Sequence, residues 1–368
     1  MIESTLRILV VGAGIAGLAA ARALRLAGFR PEVAERLPGP ARCDEGIFLP
    51  GNADRALRDL ELDAPLRRLG QVIERQRFLD ASGQQLCEVD LRGLWAGVGE
   101  CRALPRSDLH EVLLAGAEGA VRYGVEAYEF RPGRHGVQVI FADGAEQTYD
   151  LVVGADGPRS MVRTLAALGG PPRPAGQVAY RGVVDGRPDV CDWVAVLGQR
   201  AGFLVMPMGG GRLCCYADEA GSEVPADPTA RLRQIFAGYG GPVPAVLDAL
   251  RDVRAALTDE LDLGRWSNGR VVLVGDAAHA TAPTLSQGAA MAVEDAVVLA
   301  ATLRAAASVE EALRAYEARR RPRAKWVRDR THDRDRTRNV PPAVRDPVLR
   351  GRGGRIFQAH YRLLREPA

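Results

Sequence analysis

The segment that most constrains the fold is a glycine-rich turn between an apolar run and an alanine-rich helix near the start of the chain. Residues 7–28 read RILVVGAGIAGLAAARALRLAG, so Gly12, Gly14 and Gly17 follow a predicted strand with the spacing GxGxxG. The first glycine permits a tight turn, the second lets a pyrophosphate approach the backbone, and the third allows the helix to pack closely on the strand. The segment therefore predicts a Rossmann-like dinucleotide-binding domain.

A carboxylate follows at the distance expected for recognition of a ribose. The next predicted strand, PEVAER, places Glu35 18 residues after Gly17. A carboxylate there accepts a hydrogen bond from a ribose 2′-OH and repels a 2′-phosphate. The site is predicted to hold FAD or NAD and not NADPH.

A second strand-turn-helix unit lies at residues 270–295, RVVLVGDAAHATAPTLSQGAAMAVED. The apolar run before Gly275 predicts a buried parallel strand with Asp276 at its tip. The helix that begins near Gln287 directs unpaired N–H groups at whatever lies above it, and the small residues from Gly288 onward would let a flat ring approach the backbone. The alternative is an ordinary βα unit whose small residues serve helix packing.

A third motif, YDLVVGADGPRS at residues 149–160, combines a buried strand with an Asp-Gly turn. By itself it is typical of a hairpin or a βα turn.

Together, and in this order, the motifs GAGIAG, GADGPRS and GDAAHATAP resemble those of group A flavoprotein monooxygenases, the single-component aromatic hydroxylase type. The resemblance covers nearly the whole chain. It implies an α/β fold with a Rossmann-like FAD-binding domain, a discontinuous second domain built on a mainly antiparallel sheet, and C-terminal helices. It does not carry the substrate over, because one fold serves many substrates.

The resemblance also implies an activity. NADPH or NADH would reduce FAD, and O₂ would then give a flavin C4a-hydroperoxide that hydroxylates an aromatic or polycyclic small molecule. The alternatives on the same fold are a flavin-dependent dehydrogenase or reductase, or an epoxidase. A flavin-binding protein without turnover is an alternative of a different class. A halogenase is disfavoured because the chain has no WxWxIP segment.

Roles for individual residues follow from the same resemblance. The three glycines would hold the pyrophosphate, Glu35 the adenosine ribose, and Arg36 and Val125 would lie by the adenine. Arg106 and Asp276 would reach the ribityl or phosphate part, backbone groups from Pro283 to Ala289 would surround the isoalloxazine, and Asp156 with Arg159 would contribute to FAD and NAD(P)H handling. The predicted cofactor-binding residues are Gly12, Gly14, Ile15, Ala16, Gly17, Glu35, Arg36, Arg106, Val125, Asp156, Asp276, Pro283, Ser286, Gln287, Gly288 and Ala289.

The chain departs from the family pattern at three places. Ser286 stands where the flavin loop usually has glycine, which would stiffen the loop or add a hydroxyl near the ring. Asp44 and Glu45 bring two carboxylates toward the flavin side, and Glu45 is expected to point to solvent. Cys214 replaces an expected aromatic residue, which disfavours urate as the substrate.

For the substrate pocket, the antiparallel segments after Val178 predict an apolar roof over the flavin. Its predicted lining is Trp193, Phe203, Val205, Leu213 or Cys215, and Pro283. No catalytic base can be assigned, because His279 and His110 are each more typical of packed, hydrogen-bonded histidines.

Composition limits the remaining possibilities. The six cysteines show no metal-ligand spacing, which predicts reduced thiols, no metal site and a cytoplasmic location. The longest apolar run, residues 8–21, is shorter than a membrane span, so no membrane association is expected.

Residues 301–368 hold 18 basic and 8 acidic residues, and their interleaving favours a solvated helix over a nucleic-acid patch. A monomer or homodimer is expected.

The predicted domain division is discontinuous. An FAD-binding domain would comprise residues 1–70, 101–175 and 262–330, and a substrate domain would comprise residues 71–100 and 176–261. A basic C-terminal helical segment would follow at residues 331–368.

Overall fold

The computed structural model describes residues 5–40, 43, 45–133, 136–186 and 189–368. Its strands, in chain order, are β1 (Ile8–Val11), β2 (Glu32–Glu35), β3 (Gly46–Leu49), β4 (Gln71–Val72), β5 (Arg75–Asp80), β6 (Gln85–Asp90), β7 (Arg102–Pro105), β8 (Val121–Tyr123), β9 (Ala127–Pro132), β10 (Val137–Phe141), β11 (Glu146–Tyr149), β12 (Leu151–Gly154), β13 (Arg173–Asp185), β14 (Trp193–Leu197), β15 (Ala201–Pro207), β16 (Arg212–Ala220), β17 (Arg254–Glu260), β18 (Ser267–Asn268) and β19 (Val271–Leu273).

The α-helices are α1 (Ile15–Leu26), α2 (Gly51–Asp59), α3 (Asp63–Leu66), α4 (Leu91–Leu94), α5 (Arg106–Leu114), α6 (Met161–Leu165), α7 (Pro228–Ile235), α8 (Val243–Ala249), α9 (Asp276–His279), α10 (Gly288–Ala305), α11 (Val309–Thr337) and α12 (Pro342–Ala359). Short 3₁₀ turns lie at Glu118–Ala120, Pro283–Leu285 and Arg362–Arg365.

A six-stranded sheet in the order β18-β19-β12-β1-β2-β8 forms the first large layer, and its pairs are parallel except for β18 with β19. Strand β1 is buried along its whole length, as expected for an apolar run covered by helices on both faces. Because parallel strands end at the same edge, the turns after β1, β12 and β19 meet there. This edge carries all three sequence motifs.

A seven-stranded sheet in the order β17-β13-β16-β15-β14-β5-β6 forms the second layer. Its pairs are antiparallel except for β14 with β5, and its strands come from residues 75–90 and 173–260. Leu232 of α7, Phe236 directly after that helix and Val246 of α8 belong to an apolar cluster on one face of this sheet. The opposite face is left to form the wall of a cleft. The mixed α/β fold with a Rossmann-like sheet, a second, mainly antiparallel sheet and C-terminal helices is the one predicted.

The C-terminal helices close the structure over the second sheet. Helix α11 begins with a capping box, since the Ser308 hydroxyl accepts the N–H of Glu311 while the Glu311 carboxylate accepts the N–H of Ala307. It runs without a break to Thr337, so the predicted segment boundary at residue 331 lies inside one continuous helix. The basic tail is therefore not a separate segment, and it is not wholly solvated, because Arg320 is fully buried.

Helix α12 packs against β5 and β6. The rings of Phe78 and Phe357 stack with their centroids 4.0 Å apart, and the Arg345 guanidinium donates to the backbone oxygen of Gly198 at 2.6 Å. Within the described part of the chain, no helix has the length and apolar character needed to cross a membrane.

Candidate cofactor and substrate site

A cleft of about 520 Å³ lies between the two large sheets and is closed at one end by α11 and α12. One wall is formed by the turn after β1, by Asp276 and by residues 283–289. The facing wall is formed by β3 and by the seven-stranded sheet. The cleft thus joins the edge that carries the sequence motifs to the second sheet.

The glycines of the first motif have different structural roles. Gly12 has φ +105°, and a Cβ there would meet the Ala155 oxygen at 2.6 Å. A Cβ on Gly17 would lie 1.8 Å from the Gly12 oxygen, so Gly17 is required for close helix packing. Gly14 has open space at the Cβ position and lines the cleft together with Ile15 and Ala16. Backbone at Gly14–Ala16 is therefore accessible to a pyrophosphate at the N-terminus of α1.

The predicted adenosine contacts are brought together beside this turn. The Glu35 carboxylate accepts the backbone N–H of Ala13 at 2.8 Å and of Leu37 at 2.9 Å. The Val125 N–H donates to the Glu35 backbone oxygen at 2.9 Å, and the Arg36 side chain is exposed. Each Glu35 oxygen keeps capacity for a further hydrogen bond, so a ribose hydroxyl can be accepted. The assignment of these residues to FAD stays a prediction.

The carboxylate at the tip of β19 faces the cleft. Gly275 adopts φ +60°, which begins the turn into α9 and exposes Asp276. A Cβ on Gly288 would lie 3.9 Å from the Asp276 Oδ1, so the carboxylate stands beside the first turn of α10. The site therefore combines a hydrogen-bond acceptor for sugar hydroxyls with the N-terminus of an 18-residue helix.

A buried charge network supports this turn from below. Asp295 accepts the Gly275 N–H at 2.8 Å, contacts His279 Nε2 at 2.6 Å and accepts Arg320 Nε at 2.7 Å. Burial alone would raise the pKa of Asp295, but the charges of His279 and Arg320 outweigh it and lower that pKa below its ordinary value. Asp295 is therefore an ionised anchor for the turn that presents Asp276.

Glu294 extends the same network to the far side of α10. It accepts Arg320 Nη1 at 2.7 Å and both Nε and Nη2 of Arg323 at 2.7 Å. Its pKa is lowered because these guanidinium groups outweigh the effect of burial. Asn52 donates to Glu294 and to Gln287, each at 3.0 Å, and so connects the network to the predicted flavin loop.

The flavin loop itself is a tight turn. Ser286 has φ 53° and donates its N–H to the Pro283 oxygen at 2.8 Å, so the residue that replaces the family's glycine lies in the left-handed region. Pro283, Ser286, Gly288 and Ala289 line the cleft. The Gln287 side chain is turned away and buried on Asn52, so only the Gln287 backbone is available to a ring.

Asp156 is used differently from the prediction. Its carboxylate accepts the Ser160 hydroxyl and the N–H groups of Met161 and Val162, and so caps the first turn of α6. Burial raises its pKa, although those hydrogen bonds oppose the shift. Gly157 and Pro158 line the cleft, whereas Arg159 is exposed and pairs with Asp259 at 3.6 Å. Contact of this segment with a cofactor would thus come from its backbone.

The segment before β3 also differs from expectation. Glu45 lines the cleft and pairs with Arg181 at 3.7 Å, so it does not point freely to solvent. Its backbone oxygen accepts the N–H of Arg106, whose exposed side chain lines the cleft at the start of α5. The assignment of Arg106 to FAD stays a prediction. Asp44 lies outside the described residues.

The residues of β15 and β16 that were predicted to face the substrate are wrong by one position along each strand. Phe203, Val205, Leu213 and Cys215 belong to the apolar cluster under α7 and α8 and do not line the cleft. Successive side chains on a strand point to opposite faces, so the cleft instead receives Leu204, Met206, Cys214 and Tyr216. Pro283 and Trp193 line the cleft, and their contact with a substrate stays a prediction.

Several lining residues had no sequence prediction. Phe48 on β3 packs against Trp193 with ring centroids 4.5 Å apart, which makes an apolar corner opposite the flavin loop. Asp218 on β16 is 1% exposed, pairs with Arg338 of the segment after α11, and has its pKa raised by burial despite that partner. The sequence could have indicated Asp218 as a site residue, because it is a charged residue within an apolar strand. No local pattern could place Arg338 at the cleft, because its position depends on how α11 docks.

The two histidines set aside in the sequence have structural partners. His110 Nε2 contacts the Ala13 oxygen at 2.8 Å, and His279 contacts Asp295 as described above. Neither lines the cleft. Within the described ranges, no group of three or more histidine, cysteine or acidic side chains could hold a metal ion.

Comparison with known proteins gives a consistent result. The family model described as an FAD binding domain matches residues 5–331. The aurachin C monooxygenase/isomerase of Stigmatella aurantiaca is 36% identical, with 88% of this chain and 87% of that protein covered. An FAD-dependent urate hydroxylase of Klebsiella pneumoniae is 31% identical, with 98% and 95% covered. The crystal structure of Klebsiella pneumoniae HpxO complexed with FAD and uric acid aligns with a TM-score of 0.80 and 27% identity, covering 99% of this chain and 94% of that one.

Proposed function

This chain belongs to the FAD binding domain family and is an FAD-dependent monooxygenase of the group A aromatic hydroxylase type, and from that premise we propose that it hydroxylates an apolar aromatic or polycyclic molecule. The proposal includes NADPH or NADH as the reductant and oxygen transfer through a flavin C4a-hydroperoxide. It also keeps the predicted division into an FAD-binding domain (1–70, 101–175, 262–330) and a substrate domain (71–100, 176–261), except that the FAD-binding domain extends past residue 330 because α11 continues to Thr337.

The observation that carries this proposal is the continuity of the cleft. The same cavity contains the Gly14–Ala16 backbone, Asp276 and residues 283–289 on one wall, and the Phe48–Trp193 corner on the other. A flavin held by the first wall would face an aromatic ring held by the second. Bound FAD supplies the redox and oxygen chemistry, and the chain supplies position and exclusion of water.

The cofactor side of the cleft fits FAD. Backbone is open where a pyrophosphate would bind, Asp276 offers a carboxylate to ribityl hydroxyls, and the N-terminus of α10 favours negative charge on a reduced ring. Glu35 provides the ribose acceptor. No metal ligand set is needed for this chemistry.

The composition of the facing wall supports an apolar substrate. Phe48, Trp193, Leu204, Met206 and Cys214 present carbon and sulfur to the cleft. An aromatic ring with an apolar substituent would bury well against these side chains. The curated relatives include enzymes named for urate, aurachin C and 2-heptyl-3-hydroxy-4(1H)-quinolone, and the apolar wall favours a substrate more like the latter two.

The polar groups on this wall suggest how the ring would be oriented. The Arg181 guanidinium carbon lies 5.6 Å from the centroid of the Tyr216 ring and pairs with Glu45, which places a cation at the edge of the apolar surface. A cation there would stabilise the phenolate form of a hydroxylated ring and so activate the adjacent carbon. Arg181 is thus proposed to orient the substrate oxygen.

A location in the reducing cytoplasm is also proposed. Cys43, Cys87, Cys101, Cys214 and Cys215 form no disulfide with any residue that the structure describes, which fits a cytoplasmic enzyme. A monomer or homodimer is proposed for the assembly.

The test is anaerobic stopped-flow absorbance of the FAD-loaded protein with NADPH or NADH, followed by oxygen, across a panel of phenols, quinolones and polycyclic aromatics. The expected result is that one compound accelerates flavin bleaching and that labelled dioxygen then appears in its hydroxylated product. Flavin reduction without label incorporation for any accelerating compound would instead support a dehydrogenase or reductase. Incorporation into an epoxide would identify the epoxidase alternative.

A further inference from the structure

A second cavity of about 300 Å³ lies beside the cleft, at the C-terminal end of α11. It is bounded by the start of β13, the residue before β15, the ends of β16 and β17, and the end of α11. The side chains that matter here are Gln177, Arg200, His332, Arg336, Arg338 and Asn339. Arg338 lines both the cavity and the cleft, so the two spaces share a wall.

The cavity lining holds three arginines, Arg200, Arg336 and Arg338, against two carboxylates, Glu260 and Asp335. His332 pairs with Glu260, Arg338 pairs with Asp218 and Asp335, and Arg336 pairs with Asp333 outside the lining. For Arg200, no ion pair exists with any residue that the structure describes. An anion entering the cavity would therefore meet a guanidinium that no carboxylate neutralises, and guanidinium groups suit phosphate oxygens in particular.

Arg200 is held in an unfavourable backbone conformation. Its φ is +62°, the left-handed region that glycine or asparagine normally occupies. The conformation is fixed because the Arg200 N–H donates to the Arg338 oxygen at 3.1 Å and its own oxygen accepts the Ala220 N–H at 3.0 Å. Glycine would adopt this conformation without strain, so the arginine at the rim of the cavity is a candidate functional side chain.

A buried acceptor in the same cavity lacks a partner. Gln177 is 6% exposed, and its Oε1 makes no hydrogen bond with the residues that the structure describes. A buried amide oxygen without a donor is costly, so the position suits a ligand that carries a hydroxyl or N–H group. The cavity therefore combines a cation for a phosphate with an acceptor for a hydroxyl, which is the pairing that a ribose phosphate presents.

The cavity is connected to the predicted flavin loop. Thr284, within residues 283–289, donates its hydroxyl to Asp335 at 2.7 Å and accepts from Arg338 Nη2 at 3.4 Å. Asp335 and Arg338 both line the second cavity. A ligand anchored here would thus lie one side chain away from the flavin loop.

We propose that this cavity binds a ribose-phosphate portion of the nicotinamide dinucleotide, with Arg200 as the principal phosphate ligand and Gln177 accepting from a ribose hydroxyl. The inference rests on the proposed function for the identity of the ligand as the reductant. The dinucleotide would extend past Arg338 toward the flavin loop.

The first test is calorimetric titration of the FAD-loaded protein with adenosine 2′,5′-bisphosphate, ADP and inorganic phosphate. Arg200→Gln removes the charge and keeps the length, whereas Arg200→Gly removes the side chain and also relieves the backbone strain. Both variants are expected to weaken binding of the tightest probe by about tenfold or more, the loss typical of one charge-assisted hydrogen bond. Arg352→Gln, an exposed position on α12 that lines neither cavity, is the matched control and should bind as the wild type does.

The second test is anaerobic flavin reduction as a function of NADPH or NADH concentration. The half-saturating concentration should rise about tenfold in both Arg200 variants, while the limiting rate and reduction by dithionite stay within about twofold of the wild type. Gln177→Leu should raise the same concentration without changing dithionite reduction. This separation of binding from chemistry is not expected if Arg200 has a purely structural role.

Each outcome is decisive. Wild-type protein that binds none of the probes, or Arg200 variants that bind them unchanged, would overturn the site. Probe binding that is lost in the variants while the half-saturating NAD(P)H concentration is unchanged would overturn the reductant as the ligand and indicate another phosphate compound. A wild-type flavin that neither nicotinamide reduces would count against the proposed function, and the calorimetric comparison would still decide whether the cavity binds phosphate.

Discussion

The Asp295 carboxylate on α10 accepts the backbone N–H of Gly275 at 2.8 Å, and this single contact joins a buried charge network to the turn that presents Asp276 to the cleft. The same carboxylate neutralises Arg320, which is fully buried. The strand tip is therefore positioned by a residue 20 positions later in the chain. Replacing Asp295 should therefore lower both the stability of the protein and its affinity for FAD.

Asp295→Asn is expected to lower the free energy of unfolding by about 3 kcal/mol or more, because it leaves the buried Arg320 with less compensating charge. Loss of the ionised anchor should also loosen the Gly275 turn and release FAD during gel filtration. Urea unfolding and the flavin-to-protein absorbance ratio measure the two effects. A variant that is destabilised but keeps its full FAD content would show that the charge network does not support FAD binding.

Asp276→Asn tests the cofactor site without disturbing the network. Its side chain is exposed in the cleft, so the free energy of unfolding of the apoprotein should change by less than about 0.5 kcal/mol. The dissociation constant of FAD should rise about tenfold, because a charged acceptor for sugar hydroxyls is lost. Fluorescence titration of apoprotein with FAD gives this constant, and Asp248→Asn on the exposed side of α8 is the control. Equal affinities would remove Asp276 from the predicted FAD contacts.

The alternation on β15 can be tested with adjacent residues. Met206→Ala opens the cleft wall and should raise KM for the substrate roughly fivefold to tenfold, and because Met206 is buried it should also cost about 2 kcal/mol of stability. Val205→Ala removes buried volume under α7 and α8 and should cost about 2 kcal/mol of stability with KM unchanged. Steady-state kinetics and urea unfolding of the pair check both expectations. A KM that rises for Val205→Ala and stays unchanged for Met206→Ala would mean that the opposite face of β15 binds the substrate.

Ser286→Gly should stabilise the protein. At φ 53° the serine carries left-handed strain of about 1 kcal/mol or more, which exceeds the extra chain entropy that glycine loses on folding. A gain of roughly 1 °C in thermal midpoint is expected for a chain of this size. Ser286→Val should be destabilising at the same position. A glycine variant that melts lower would indicate that the serine hydroxyl makes a stabilising contact.

His360 should make the fold sensitive to mild acid. Burial, with the charges of Arg334 and Arg330, lowers its pKa from 6.5 to about 4. The unfolded chain therefore binds this proton more readily than the folded one, so the stability present above pH 6.5 falls as the pH drops toward 4. By pH 5 the loss from this residue is about 2 kcal/mol. His360→Gln should remove that part of the difference between urea unfolding at pH 7 and pH 5, and an unchanged difference would assign the sensitivity elsewhere.

The cofactor half of the fold was predictable because its signals are local. A strand, a glycine turn and a helix follow one another within about twenty residues, and steric requirements at Gly12 and Gly17 leave few alternatives. Glu35 and Asp276 were predicted to lie at one edge of the sheet, because the carboxyl ends of parallel strands meet there.

The substrate half was not predictable to the same degree. Along β15 both sets of alternate residues are apolar, because one face is covered by α7 and α8 and the other lines the cleft. Periodicity therefore could not tell Phe203 from Leu204, and the choice of face depended on two short helices that the sequence did not reveal. The position of Arg338 depended in turn on the docking of a 29-residue helix, which no local pattern encodes.

Helix α11 meets the buried carboxylates of α10 through Arg320 and Arg323 and reaches the cleft with its last turns. During synthesis on the ribosome these arginines leave the exit tunnel after α10, so the strands and glycine turns exist for some time before the charges of Glu294 and Asp295 are balanced. A chain terminated near residue 308 would carry two buried acids without their arginine partners and a cleft open on one side. Such a fragment is expected to be cleared by cellular proteases rather than to persist as a weakly active enzyme.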